Sequence, residues 1–226
     1  MDNKINIYNI SRLRTFSDGD GVSTLIGSRG CTLRCAYCIN PGTWNTEDKN
    51  PMSIDELYET VKRDNIYFLA TNGGIVFGGG EPLIHSKFIK EFIKKYQNTN
   101  WKFRLETCLN IPRKNIDDII DYIDFYIIDI KDLNKKRYET YTNGDYDLFY
   151  SNLKYLLEKV GPDKIHVRVP KINQLHQSNE AKLNYEKLKS MGFKNIEIFS
   201  YVMPEDIKEI PKQAIENRDH FIEKLK

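Results

Sequence analysis

The stretch that organises this chain reads GCTLRCAYCINPG, from Gly30 to Gly42. Three of the four cysteines of the chain fall within it, at positions 31, 35 and 38. The disulfide framework of a secreted protein would spread its cysteines along the sequence, so this clustering favours a metal site. Intervals of three and then two residues allow a single loop to wrap one corner of an iron–sulfur cluster, whose natural ligands are thiolates.

The loop offers only three thiolates, Cys31, Cys35 and Cys38. One iron of a [4Fe–4S] cluster would then lack a protein ligand, and a small molecule can bind at such an open position. Two alternatives stay open. Structural zinc would need a fourth ligand from elsewhere, such as Cys108, because the first histidine of the chain is His85. The thiols could also be core residues without metal. We predict the cluster, and we predict that Cys108 is a core residue.

Beyond this loop, short β-rich runs alternate with segments that have the apolar spacing of helices. Six strands are predicted, at Val22–Ser28, Gly73–Gly79, Lys102–Cys108, Phe125–Ile130, Lys164–Pro170 and Asn195–Val202. This alternation implies a parallel sheet with right-handed crossovers. Six units are too few for a closed eight-stranded barrel. We therefore predict an α/β fold, a partial (β/α)6 barrel open on one side, although the pattern alone also allows a flat doubly wound sheet.

Five helices are predicted between the strands, and a further one near the C-terminus at 215–225. The first helix covers Ser53–Phe68 and opens with a capping box formed by Ser53 and Glu56. We expect one domain over residues 1–226, with a core at about 18–203 and a C-terminal helical extension at 204–226.

Composition limits the classes of function. The chain has 226 residues, of which 29% are charged and 40% hydrophobic, which is typical of a globular protein. A formal net charge of +2 gives no reason to expect nucleic acid or a membrane surface as partner. The sequence contains neither the apolar core of a signal peptide at Met1–Lys4 nor a run of about 20 apolar residues. We therefore expect a cytoplasmic protein.

Polar residues and glycines that could take part in binding or catalysis lie at the carboxyl ends of the predicted strands, where parallel barrels place their active sites. They are Gly78, Gly79, Gly80, Glu81, Glu106, Thr107, Asp129 and Lys131. The glycines allow a close backbone approach to a ligand or, alternatively, form a plain turn. Lys131 and Asp129 share one face of a strand and could form an ordinary ion pair. Arg168 lies in an apolar strand and needs a partner, either a ligand or a structural salt bridge.

Two motifs resemble those of the radical S-adenosylmethionine (SAM) superfamily, and they occur in the same order: the C-x3-C-x2-C loop and then Gly79-Gly80-Glu81-Pro82. Within it, the chain is similar to the activases of glycyl radical enzymes. That similarity is carried by Asp18–Gly21, Gly30–Trp44, Glu106-Thr107, Asp129–Lys131 and Arg168. The chain departs from the activase pattern at Asp20, Ser23 and Val202, where proline, arginine and histidine are usual.

The resemblance implies a single [4Fe–4S] cluster on Cys31, Cys35 and Cys38 and reductive cleavage of SAM to a 5′-deoxyadenosyl radical. SAM would be held by Tyr37, Gly78, Gly79, Gly80, Asp129, Lys131 and Arg168, with Glu81 orienting the glycine loop. Activases of this kind bind a monovalent cation next to SAM through a set of oxygen ligands, since hard cations favour oxygen. In this chain the resemblance implies that Glu106, Thr107 and Asp129 form that set.

By the same resemblance, the radical takes a hydrogen atom from a glycine of a partner glycyl radical enzyme, and flavodoxin or ferredoxin donates the electron. A second hypothesis is a radical SAM enzyme that acts on a peptide or on a small molecule such as a purine-like heterocycle. A third is a non-enzymatic iron–sulfur or zinc module, for which neither a six-stranded barrel nor the Gly79–Pro82 motif is needed.

Overall fold

The computed structural model describes residues 4–15, 17–47, 50–172 and 179–201. Helices and strands alternate along most of this chain. The strands are β1 (Lys4–Arg14), β2 (Ser23–Ser28), β3 (Pro51–Ser53), β4 (Gly74–Gly79), β5 (Lys102–Thr107), β6 (Phe125–Asp129), β7 (Ile165–Ile172) and β8 (Asn195–Tyr201). The helices are α1 (Ile54–Val61), α2 (Asn65–Thr71), α3 (Ser86–Tyr96), α4 (Arg113–Asp117), α5 (Lys135–Thr142), α6 (Tyr146–Val160) and α7 (Glu180–Met191).

The eight strands form one sheet in the order β3-β1-β2-β4-β5-β6-β7-β8. The pairs β2–β4, β4–β5 and β7–β8 are parallel, whereas β1 pairs antiparallel with both β2 and β3. The predicted α/β class is confirmed, since an open sheet with a helix between most successive parallel strands is what a partial (β/α)6 barrel requires. All six predicted strands are present. The sequence pattern missed β1 and β3, the antiparallel strands at one edge.

The chain divides into two compact units. Unit 1 takes the described residues of Met1–Cys31, Thr43–Thr107 and Ile111–Ile127, and unit 2 takes those of Thr32–Gly42, Cys108–Asn110 and Ile128–Lys226. Leu25, Val76 and Ile127 form a buried apolar cluster in unit 1. Unit 2 contains a cluster of Ala36, Tyr37, Tyr141 and Ile172. The expectation of one domain over residues 1–226 stays a prediction, and the predicted terminal helix lies outside the described residues.

The first helix differs from the prediction of one element over Ser53–Phe68. The capping box is confirmed: the Glu56 amide donates to the Ser53 hydroxyl, and the Ser53 amide donates to the Glu56 carboxylate. A 3-10 turn at Lys62–Asp64 then separates α1 from α2. Asp64 is fully buried there and accepts hydrogen bonds from Arg12 of β1 and Thr24 of β2. These two strands therefore fix the turn that interrupts the helix.

Among the residues described, no helix is long and apolar enough to cross a membrane.

Candidate cofactor site

The carboxyl end of β4 packs directly on the residues that lead into the cysteine loop. A Cβ on Gly79, whose φ is +100°, would lie 2.6 Å from the Ser28 amide nitrogen. A Cβ on Gly80 would lie 2.0 Å from the Gly30 carbonyl oxygen and 3.4 Å from the Cβ of Cys31. The backbone of the chain itself therefore requires glycine at these two positions, whether or not a ligand also approaches them.

Two backbone hydrogen bonds fix this contact within unit 1. The Gly80 amide donates to the Ser28 carbonyl at 3.0 Å, and the Glu81 amide donates to the Gly30 carbonyl at 2.8 Å. The end of β4 is thereby tied to the residue immediately before Cys31. Gly78 lies one step earlier, and a Cβ there would come within 2.9 Å of Leu25 and 3.2 Å of the Glu106 carboxylate.

Glu81 anchors the same loop through its side chain. Its carboxylate is fully buried and accepts from the Thr107 hydroxyl, at 2.8 Å to one oxygen and 2.9 Å to the other. The Leu83 amide donates to it at 3.1 Å and caps the 3-10 turn Pro82–His85. A buried carboxylate needs such donors. These contacts support the predicted role of Glu81 as the residue that orients the loop.

In unit 2, the second half of the cysteine loop is held by the C-terminal end of α5. The Arg34 amide donates to the Thr142 carbonyl and the Ala36 amide to the Tyr141 carbonyl, both at 2.8 Å. Cys35, between them, is buried. The Cys38 amide donates to the Cys35 carbonyl at 3.1 Å, which closes a turn that brings these two cysteines together.

Tyr37 lies inside this loop and is 4% exposed. Its ring packs edge-on against Tyr201 at 5.4 Å and Tyr141 at 6.3 Å between centroids. The Tyr201 hydroxyl donates to the Tyr37 carbonyl. Burial and the nearby Cys35 raise the pKa of Tyr37 well above its usual value. The ring contributes to loop packing, and contact with adenine stays a prediction.

Asp129 lies between two cations in unit 2. Arg168 donates from Nε to the Asp129 carboxylate at 2.6 Å, while Lys131 Nζ lies 3.9 Å from the other oxygen. The Ile130 amide also donates to the Arg168 carbonyl, at 3.2 Å, which joins the end of β6 to β7. The structure thus brings these three predicted site residues together. The ion pair that the sequence offered as the alternative to ligand binding is also present.

Lys131 places a positive charge near the thiols of unit 2. Burial by itself would lower the pKa of this lysine. The charges of Asp129, Cys35, Cys108 and Cys38 outweigh burial, and the pKa of Lys131 is raised above its usual value. A fixed cation favours the thiolate form, which is the form that binds iron.

None of the four cysteines, all within the described residues, forms a disulfide. Over residues 4–15, 17–47, 50–172 and 179–201, no three His, Cys, Asp or Glu side chains converge where one metal ion could bind. A [4Fe–4S] cluster has a different requirement, because each thiolate binds its own iron atom. The soft thiolate donors and the neighbouring cation fit such a cluster.

The predicted site residues are divided between the two units. Unit 1 contains Cys31, Gly78, Gly79, Gly80, Glu81, Glu106 and Thr107, and unit 2 contains Cys35, Tyr37, Cys38, Asp129, Lys131 and Arg168. The roles of these residues toward SAM and iron, and the cation set of Glu106, Thr107 and Asp129, stay predictions.

Sequence reasoning missed the residues that support the cysteine loop. Tyr141, Thr142 and Tyr201 hold the loop backbone, yet they lie more than 100 residues further along the chain. Helix α5 was not predicted at all, because its polar sequence, KKRYETYT, has a weak apolar stripe. No local pattern in the sequence connects these residues to the loop.

The family model of the radical SAM superfamily matches residues 25–214. The chain belongs to this superfamily. The match includes the cysteine loop, the Gly78–Glu81 end of β4, and the Asp129, Lys131 and Arg168 group.

Two curated relatives are activating enzymes. The chain is 31% identical over 179 residues to the pyruvate formate-lyase-activating enzyme of Clostridium pasteurianum, covering 79% of this chain and 72% of the relative. It is 24% identical over 225 residues to the 4-hydroxyphenylacetate decarboxylase activating enzyme of Clostridioides difficile, covering 72% and 71%. Among solved structures, SuiB of Streptococcus suis bound to S-adenosylmethionine aligns with a TM-score of 0.61 at 16% identity. That alignment covers 89% of this chain but 47% of SuiB, and it shows a shared fold.

This radical SAM protein is therefore an enzyme whose cofactors are a [4Fe–4S] cluster and SAM. Its superfamily excludes the third hypothesis, a module without catalytic activity.

Proposed function

We propose that this enzyme activates a glycyl radical enzyme, removing a hydrogen atom from a glycine Cα of a partner protein. The observation that carries the proposal is the 31% identity over 179 residues to an activating enzyme, together with the cysteine loop and the glycine-rich end of β4. When bound, the reduced cluster and SAM supply one electron and a 5′-deoxyadenosyl group that takes up the hydrogen atom, leaving methionine and 5′-deoxyadenosine as products.

In this scheme, the residues of the chain bind and orient the cluster and SAM. Cys31, Cys35 and Cys38 supply the thiolates, and Lys131 supplies a positive charge near the last two. Lys131 and Arg168 meet at Asp129, so this group can bind the carboxylate of an amino acid by exchanging one ion pair for another. Glu81 and Thr107 hold the glycine-rich segment whose backbone would receive the amino group. A monovalent cation beside SAM on Glu106, Thr107 and Asp129 belongs to the same proposal.

The remaining parts of the scheme concern the surroundings of the enzyme. A small electron-transfer protein, flavodoxin or ferredoxin, reduces the cluster. The enzyme works in the cytoplasm under anaerobic conditions, where the glycyl radical of its partner persists.

The test is an anaerobic incubation of the reduced enzyme with SAM and a glycyl radical enzyme from the same organism, followed by electron paramagnetic resonance. We expect a doublet signal on the partner that disappears when the glycine of its radical loop is replaced by alanine. If 5′-deoxyadenosine forms only with a small molecule or a free peptide, the proposal is wrong. The second hypothesis, a radical SAM enzyme that acts on a peptide or a small molecule, would then apply.

A further inference from the structure

Arg104 is a buried arginine in unit 1 to which neither motif assigns a role. It lies in the middle of β5 and is 4% exposed. Its Cα pairs in register with that of Val76 on the parallel strand β4, so both side chains project from the same face of the sheet. Val76 belongs on that face to the apolar cluster with Leu25 and Ile127, against which Phe125 packs. The guanidinium is therefore a buried cation beside an apolar cluster.

The hydrogen bonds of Arg104 are incomplete. Nη2 donates to the main-chain carbonyl of Asp20. Nη1 is buried and, among the residues that the structure describes, has no hydrogen-bond partner. Buried donors on a charged group are costly to leave unpaired and are rare in native proteins. The unpaired N–H groups of Nη1 therefore indicate an acceptor that the described residues of the chain do not provide.

The surrounding charges indicate what kind of acceptor fits. Burial lowers the pKa of Arg104, while the nearby carboxylates of Asp18, Asp20 and Asp124 act to raise it. Asp18 is bound by Arg14 and Ser23, and Asp124 accepts from the Phe103 amide. An additional anion would gain little binding energy from this guanidinium, because the three nearby carboxylates would repel the anion. A neutral dipole such as a peptide carbonyl meets no such repulsion.

The turn Asp18–Gly21 separates Arg104 from solvent. Gly19 has a φ of +89°, and a Cβ there would lie 3.5 Å from the Phe125 ring and 3.9 Å from Arg104 Nε. Asp20 is exposed, so the guanidinium lies one layer beneath the surface. The contact with the Asp20 carbonyl already shows one main-chain carbonyl binding to this guanidinium.

We propose that Arg104 is a substrate-binding residue whose Nη1 donates to a main-chain carbonyl oxygen in the glycine loop of the partner protein. This inference rests on the proposed function. The partner loop displaces the exposed turn at Asp20 and places its backbone against the face that carries Val76 and Ile127. Arg104 thereby selects an extended peptide over an anionic small molecule.

The experiment uses the full enzyme with its cluster and a synthetic peptide that copies the glycine loop of a glycyl radical enzyme from the same organism. Arg104→Lys keeps the charge and loses the planar fork of N–H donors. We expect its KM for the peptide to rise about 10- to 100-fold, the effect of losing a hydrogen bond to a charged group. The affinity for SAM and the slow cleavage of SAM without peptide should be unchanged. Arg12→Lys is the matched control, because Arg12 donates its hydrogen bonds to Asp64.

A second arm varies the peptide, so that the test does not depend on the stability of a variant enzyme. Replacing the peptide bonds beside the glycine, one at a time, by esters weakens each carbonyl as an acceptor. One ester should weaken binding to the wild-type enzyme and have no further effect on Arg104→Lys. Equal KM values for the wild type and Arg104→Lys, or an equal effect of every ester on both enzymes, would overturn this inference and leave the proposed function intact. A wild-type enzyme that cleaves SAM but forms no radical on the partner would overturn the proposed function and this inference together.

Discussion

Thr107 shows how one hydroxyl group can control the position of a cofactor loop. Its oxygen donates to a carboxylate that has no solvent exposure, that of Glu81. The amide of Glu81 in turn binds the carbonyl of Gly30, the neighbour of Cys31. A contact at the end of β5 is thus transmitted to the start of the cysteine loop through one buried side chain.

Replacing Thr107 by valine keeps the shape of the side chain but removes this donor. We expect Thr107→Val to lower the free energy of unfolding by about 1–3 kcal/mol, because the buried carboxylate loses a hydrogen bond. Thr107→Ser restores the hydroxyl and should stay close to the wild type. Anaerobic urea unfolding and SAM titration would measure both variants. Similar unfolding midpoints for the valine and serine variants would show that the contact does not hold the loop.

Ser23, one of the departures from the activase pattern, has a defined contact in the structure. Asp18 is 2% exposed, and Arg14 donates to its carboxylate from both Nε and Nη2, each at 2.7 Å. The Ser23 hydroxyl donates to the same carboxylate at 2.5 Å. Arg14, at the end of β1, and Ser23 thus together provide the donors of this buried carboxylate. This could not be predicted, because β1 itself was not recognised.

At the scale of elements, the prediction succeeded where a pattern is local and failed where a contact is distant. The six strands follow from runs of β-branched and aromatic residues, and the capping box of α1 from two residues three apart. Strand β1 was missed because polar and apolar residues alternate irregularly along its 11 residues, which contain two register shifts. The break between α1 and α2 depends on Asp64, whose partners lie 40 and 52 residues away.

The junction between β4 and β2 gives a test at this scale. Gly80→Ala would force a Cβ to within 2.0 Å of the Gly30 carbonyl oxygen, so one of the two backbones must move. We expect this variant to bind SAM at least about tenfold more weakly and to retain less iron, since overpacking displaces the backbone around it. Gly192→Ala is the control. A Cβ there meets nothing within 4 Å, and the φ of +102° adds only local strain. Equal SAM affinity in the two variants would contradict this account.

For the whole molecule, the cluster ligands are the first point to test. Replacing Cys31, Cys35 or Cys38 by alanine should each abolish the [4Fe–4S] signal and SAM cleavage, because a cubane cannot be held by two thiolates in this loop. Cys108→Ala should keep both, although Cys108 lies close enough to affect Lys131. Iron content and electron paramagnetic resonance of the reduced proteins provide the measurement. Loss of iron in the Cys108 variant would show that the ligand set is not the three clustered cysteines.

The central claim is the transfer of a hydrogen atom from a partner glycine to the 5′-deoxyadenosyl group of SAM, which gives 5′-deoxyadenosine. The most direct measurement supplies the enzyme with SAM and a partner glycyl radical enzyme deuterated at its glycine Cα, and analyses the 5′-deoxyadenosine by mass spectrometry. We predict one deuterium in each molecule of 5′-deoxyadenosine, in proportion to the glycyl radical formed. Unlabelled 5′-deoxyadenosine, formed while the partner carries no radical, would contradict the account.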